Sequence, residues 1–389
     1  MTAPSNPSGT VVHEIRWSDA LPWWLLFRAA GAAFSPTVVL LAALGAVATW
    51  AGWSACDQLG LAGATGQMTS GGSGDALLLP DLGAAAGDAA GATRIAAPLV
   101  HDLERRLPHP LGDLLGLVRT PFRPSATLRE LLGAAARLGW FVLVWSIFGT
   151  GITRHVALKL VGEDPPGPIG ATLFGSRKWV PSFNSVLFVL VGILALSIPG
   201  ALLGLAMRTE WGLAFAGAVW PLVLLGALVL AILAVGLVAG WPLMVAAVGV
   251  ERGDAFQAIS TAFSYLYQRP LHYAFYLAVA ALVAVPAILV AGLFASVTET
   301  LALWATSFGM GHERTVAVLD GLAGAGAEAS RWGVRAMSFW SRGLAHLLAS
   351  FGWGYFWAIA TAAYLVLRQD VDGTPLDEVV IDEPGSQAT

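Results

Sequence analysis

The sequence predicts an all-α, polytopic helical membrane protein, six spans arranged as three repeated hairpins with interfacial amphipathic helices. Three observations carry this. Apolar residues make up 56% of the 389 and charged residues only 12%, with a mean hydropathy of +0.69, whereas a soluble globular chain carries about 25% charge. Six apolar runs without a charge near the centre are long enough to cross a bilayer as helices. Three times, finally, a proline follows a short amphipathic stretch and opens such a run: Pro36 before TVVLLAALGAVATW, Pro181 before SFNSVLFVLVGILALSI, and Pro270 before LHYAFYLAVAALVAVPAILV.

Taken in order, residues 1–35 read as a cytoplasmic N-terminus ending in an interfacial helix. Leu21, Trp24 and Leu25 mark its apolar side, with Trp23 and Trp24 at headgroup depth. There is no basic n-region, so the first span, Pro36–Ala55, is expected to stay as an anchor. An exterior segment, 56–130, follows. Its Gly60–Gly91 tract is too rich in Gly and Ala to bury a core. Ile95, Leu99, Leu103 and Leu107, then Leu111, Leu114, Leu115 and Val118, form two stripes suited to helices on the outer leaflet.

The second span is Leu131–Ile152. Ile169–Val180 is the second interfacial stretch, with Arg177, Lys178 and Trp179 where anionic lipid heads would attract them. The third span is Phe183–Ala206 and the fourth Leu213–Gly240. Trp211 to Val250 is uncharged for about 60 Å of helix, with a bend expected at Pro242; two short spans are the alternative. The most regular amphipathic element is Asp254–Gln268. Phe256, Ile259, Phe263, Leu266 and Tyr267 form its apolar face, opposite Gln257, Ser260, Thr261, Ser264 and Gln268. Asp254 is placed to cap it, Gln257 gives a capping-box-like start, and Pro270 breaks it. The fifth span is Leu271–Val297, an exterior segment occupies 298–343, the sixth span is Leu344–Leu367, and 368–389 is an acidic cytoplasmic tail.

The repeat rests on the shared order of features. The returning spans align on Asp164, Asp254 and Asp370, with Ala157, Ala247 and Ala363 seven residues earlier. Six spans place both termini on one side. The short connections sharing that side carry Arg154, Lys159, Arg177, Lys178, Arg252 and Arg269, against Arg208 alone opposite. By the positive-inside bias, both termini are cytoplasmic. Arg94, Arg105 and Arg106 sit in a long segment, which has little weight under that rule.

Chemistry is bounded mostly by what fails. A net charge of −4 without a basic patch argues against a nucleic-acid partner. Cys56 is the single cysteine, excluding an intramolecular disulfide. Gly170-ATLF-Gly175-Ser176-Arg177-Lys178 lacks the Lys directly after the second Gly that a phosphate loop needs. Ser73 lacks a nucleophile elbow, and His312-Glu313 lacks the second histidine of a zincin helix. Asp370-Val371-Asp372-Gly373 lacks the later ligands of a calcium loop. His155, His272 and His346 read as interfacial anchors. Gly200-ALL-Gly204 and Gly236-LVA-Gly240 fit close helix approach in lipid. No residue is assigned as catalytic, cofactor-binding or metal-ligating, and no cofactor is expected. The spans lack the central charges on which ion-coupled transport depends.

Two stretches carry a resemblance: FGTGITRHVALKL followed by GATLFGSRKW, and GWPLMVAAVGVERGDAFQAISTAFSYLYQRP. They resemble uncharacterised multi-pass inner-membrane proteins of the planctomycete type. More distantly, they resemble the membrane domain associated with bacterial glycerophosphodiester phosphodiesterases. The likeness covers roughly Leu138 to Asp372 and implies a helical domain in a bacterial inner membrane. The catalytic barrel of those phosphodiesterases has no counterpart here, so no enzyme role is implied. The expected function is a non-enzymatic membrane scaffold or accessory subunit, in contact with membrane lipids and with a protein partner or further copies of itself. The alternative is a transporter or flippase-like protein for an apolar or lipid substrate; an enzyme built on exterior residues is third.

Overall fold

The computed structural model describes residues 21–60, 114, 117–118, 120–122, 126–322, 331–376 and 379, and among them there is no β-strand. The helices are α1 (Trp24–Ala33), α2 (Pro36–Gln58), α3 (Leu128–Val161), α4 (Pro168–Ala206), α5 (Glu210–Glu251), α6 (Ala255–Gln268), α7 (Pro270–Met310), α8 (His312–Leu322) and α9 (Trp332–Asp372). Six of them (α2, α3, α4, α5, α7 and α9) are long and apolar enough to cross a membrane. Each contains one of the six expected spans and most overrun it considerably. The two stripes expected at 95–118 lie largely outside the described residues, as does the Gly/Ala-rich tract.

Local signals explain most helix starts. Thr127 and Glu130 form a reciprocal capping box at the head of α3. Thr209 accepts from the Gly212 N–H at 3.1 Å to open α5, and Asp254 accepts from the Gln257 N–H at 2.8 Å to open α6. The Gln257 side chain does not close a box on Asp254; its amide donates to Glu251 at 2.9 Å. Pro36 and Pro270 each stand in the first turn of a new helix, where a missing N–H costs nothing.

Pro181 behaves differently. The expected interfacial helix at 169–180 is not a separate element, because α4 runs unbroken through Pro181. An internal proline costs a helix about 3 kcal/mol. Packing against α3 on both sides of it offsets that cost: Ala171 and Gly175 below, and Ser182, whose hydroxyl meets that of Thr150 at 2.7 Å. Likewise α5 is one helix through Pro242, not two short spans. What changes at Pro242 is the surroundings: residues before Gly240 are mostly exposed, and Pro242–Val250 are buried.

The N-terminal ends of α2, α4 and α7 meet the C-terminal ends of α3, α5 and α9 at one end of the bundle, here called the base. Bonds from Ser35 to His155, Lys178 to Arg252 and Tyr276 to Asp370 tie these ends together. Away from the base α4 and α5 keep chiefly each other, and α5 does not pack along α7. At the centre stands α9, which contacts α1, α2, α3, α5 and α7. Its most apolar window is 89% buried, against 6% for α4 and for α5. An aromatic cluster joins α3, α5 and α9: Trp145 lies 4.7 Å from Trp353 and Trp241 meets Trp357 edge-on at 5.3 Å. Such pairs contribute about 0.5–1.5 kcal/mol each beyond burial.

α1 and α6 both pack on the bundle. α1 buries Leu25, Leu26, Ala29 and Ala33. In α6 the buried residues are Ala255, Ala258, Ala262, Tyr265 and Leu266. This corrects the expected apolar face: Phe256 is 67% exposed and stacks on Phe188 of α4, while Phe263 lies over Gly236 of α5. Small side chains let the helix approach closely beside the buried Tyr265, and the Phe256 and Phe263 rings are displaced to its flanks.

Candidate functional site

Two regions gather the groups that could carry function: the polar base and an apolar cleft above it. The base is built on helix ends, whose last carbonyls lack intrahelical donors. Basic side chains meet them. Arg28 donates to the Leu160 carbonyl at 2.8 Å and Lys178 to the Arg252 carbonyl at 2.8 Å, each placing a cation at the negative end of a helix dipole. Lys178, expected at lipid heads, is thus turned into the protein. Arg154 is buried beneath α5, its guanidinium 3.4 Å from the Val250 carbonyl and 5.3 Å from the Phe174 ring centre.

His155 is buried as well, and joins three segments. Its Nδ1 lies 2.8 Å from the Pro166 carbonyl, and its Nε2 lies 3.0 Å from the Ser35 hydroxyl. A carbonyl can only accept, so Nδ1 carries the proton, and in the neutral ring Nε2 accepts from Ser35. The pair superficially matches a serine nucleophile and its base, but both side chains are buried, Ser35 at 7% and His155 at 4% exposure. Its role is to lock the head of α2 to the tail of α3. Ser35→Ala, leaving a buried ring nitrogen unpaired, is expected to cost about 1–3 kcal/mol, read as a lower melting temperature in detergent.

The acidic groups of the base are met by tyrosines. Tyr364 donates to Glu251, with Arg368 3.9 Å from the same carboxylate. Tyr265 donates to Asp372, and Tyr276 to Asp370 at 2.6 Å. Burial, then the bond to and charge of Asp372, push the Tyr265 phenol well above its ordinary range; it stays neutral and remains a donor. The three aligned acids therefore do different work. Asp164 is exposed, Asp254 caps α6, and Asp370 binds Tyr276. Among the described residues no three His, Cys, Asp or Glu side chains come together as a metal site. At the opposite end Arg137 pairs with Asp57, one residue after Cys56, which is half-buried.

In the core, the Ser146 hydroxyl and the indole N–H groups of Trp145, Trp241 and Trp357 have no hydrogen-bond partner among the described residues. An unmet buried polar group costs about 1–3 kcal/mol. Ser146→Ala is therefore expected to raise the melting temperature, by about 1 kcal/mol of stability; an unchanged or lower value would show that the hydroxyl is satisfied.

The cleft lies between α5, α7 and α9, with a volume of about 240 Å³. Its wall is hydrocarbon and aromatic, and both tyrosine hydroxyls beside it are used. Tyr273 donates to the Ala239 carbonyl at 2.8 Å and Tyr355 to the Ala280 carbonyl at 2.5 Å.

No known protein family, curated protein or solved structure matches this chain.

Close helix approach occurs at one of the two glycine pairs whose spacing suggested it: Gly236 lies directly under the Phe263 ring of α6. Gly200 and Gly204 face open space. Tight contacts that the spacing did not suggest include Gly149 against Trp357, Gly151 against the Ala171 carbonyl, Gly175 against the Ile147 carbonyl, and Gly249 against Thr153. FGTGIT holds two of these four, a local glycine density that was the available signal.

Proposed function

We propose that this chain is a non-enzymatic integral scaffold or accessory subunit of a bacterial inner membrane, with both termini cytoplasmic. One observation carries the reading: the buried tyrosines of the base are spent on its acids Glu251, Asp370 and Asp372 around an enclosed central helix. Groups spent in this way hold a shape. The apolar arms α4–α5 and α7 supply large exposed surfaces, suited to lipid and to a partner helix or second copy. Crosslinking in native membranes followed by purification is expected to recover a stoichiometric protein partner or homo-oligomer. Recovery of a lone protomer that moves fluorescent lipid between leaflets after reconstitution would overturn the scaffold reading. It would favour the transporter or flippase-like alternative, which the lateral cleft supports.

Orientation is tested by cysteine labelling in a Cys56→Ala background. Thr209→Cys should react from outside the cell and Ser176→Cys only after permeabilisation; the reverse would invert the topology. We also propose descent from a tripled hairpin. Supporting it, α1 precedes Pro36 as α6 precedes Pro270, and the returning helices end at left-handed Gly162, Arg252 and Gly373. The unbroken α4 is the departure. Equal reactivity of Phe34→Cys, Trp179→Cys and Gln268→Cys, each two residues before its proline, toward an impermeant reagent would place the three entries at one depth; unequal reactivity argues against the repeat.

A further inference from the structure

We propose that the cleft between α5, α7 and α9 seats one acyl chain of an anionic phospholipid, with its headgroup at Arg269 and His272. The inference needs these helices to stand in a bilayer but does not depend on the scaffold reading. The cleft opens where α5 and α7 part, backed by α9, so its mouth faces the hydrocarbon that surrounds the helices. Its α7 wall runs from Tyr273 through Leu277 and Ala284 to Ile288, about 22 Å at helical rise. That is a large part of one bilayer core of roughly 30 Å, and it runs along the helix axes as an acyl chain does.

The chemistry of the wall selects the occupant. With the Tyr273 and Tyr355 hydroxyls already donated to backbone carbonyls, the cleft has little hydrogen bonding left to give, the Trp353 indole aside. A polar ligand would lose its hydration there with little replacement. The volume, about 240 Å³, falls below the roughly 300–1,000 Å³ of small-molecule sites, which suits a slender chain better than a ring system. At the base end the character reverses. Arg269, one turn before Tyr273, and His272 beside it are exposed. Asp370, the acid on the facing end of α9, is already engaged by Tyr276. Trp23 of α1 packs edge-on against Phe275 at 6.4 Å, an aromatic ring of the kind enriched at headgroup depth. A basic rim below a dry slot complements a phosphate-bearing head with a hydrocarbon tail.

The test uses the full chain in nanodiscs holding phosphatidylglycerol or phosphatidylcholine, each with a photoactivatable diazirine in mid-chain, with adducts mapped by peptide mass spectrometry. Adducts are expected to concentrate in 273–288 and 352–363. Phosphatidylglycerol should exceed phosphatidylcholine there by about fivefold for the contribution of one basic residue. Ala284→Trp, which fills the slot, should abolish the enrichment, and Arg269→Gln should bring the two lipids level while leaving the chain contacts. Should Ala284→Trp fail to fold, the smaller Ala281→Leu is read in its place. Adducts spread evenly over α4, α5 and α7 would overturn the proposal, because they would mean bulk lipid only. So would equal labelling by the two lipids, or labelling unchanged in the filled variants.

Discussion

Gly175→Leu is expected to separate α4 from α3 and to leave little folded protein. A side chain at Gly175 would run into the Ile147 carbonyl oxygen, and Gly151 N lies 3.2 Å from the same point. Both obstacles are backbone, so no rotamer relieves them. The helices must part, and with them the Gly151–Ala171 contact and the Thr150–Ser182 bond. Overpacking of this kind costs about 3 kcal/mol or more, well above the ~0.8–1 kcal/mol that leaving glycine returns in helix propensity. The control is Gly200→Leu, which meets open space and should be no less stable than the parent, gaining up to ~0.8–1 kcal/mol. Both are read by the monodisperse fraction on size exclusion and by melting in detergent. Equal melting of the two variants would mean that the α3–α4 contact does not form.

Glu251→Ala is the second large effect expected. Glu251 accepts from Tyr364 and Gln257, and faces Arg368, which is 5% exposed. Its removal leaves a buried phenol without its acceptor and takes a carboxylate from beside the buried Arg368, which costs about 3 kcal/mol. Glu251→Gln, which can still accept from Tyr364, should lose less. Combining Glu251→Ala with Tyr364→Phe should be less than additive by about 0.5–3 kcal/mol, the signature of a direct pair. Full additivity would show that the two side chains do not share a bond.

Both predictions concern residues that sequence reading passed over. Gly175 was weighed only as part of a broken phosphate loop, and Glu251 was not singled out. The α6 cap at Asp254 was legible, because a cap is a local arrangement of four residues. The α6 face was not: periodicity located an apolar stripe, but which residues turn inward depends on how near α5 and α9 come. The Phe256 and Phe263 rings sit at the flanks, where Phe188 and Gly236 receive them. Pro181 shows the same limit. Its intrinsic tendency to break a helix is a property of the chain, and the reason it does not lies in α3.

By itself the sequence determined that the protein is helical and which six stretches are long and apolar enough to cross a membrane. Hydropathy, helix caps and first-turn prolines act over a few residues, and so leave their mark in order along the chain. Only the tertiary structure decided that the last helix is the central one. The same holds for the Ser35–His155 lock across 120 positions and the tyrosine–carboxylate pairs spanning 94 to 113. Those pairings depend on the distance between helices. That distance is set by which glycines and alanines face one another, and no periodicity within a single segment records it.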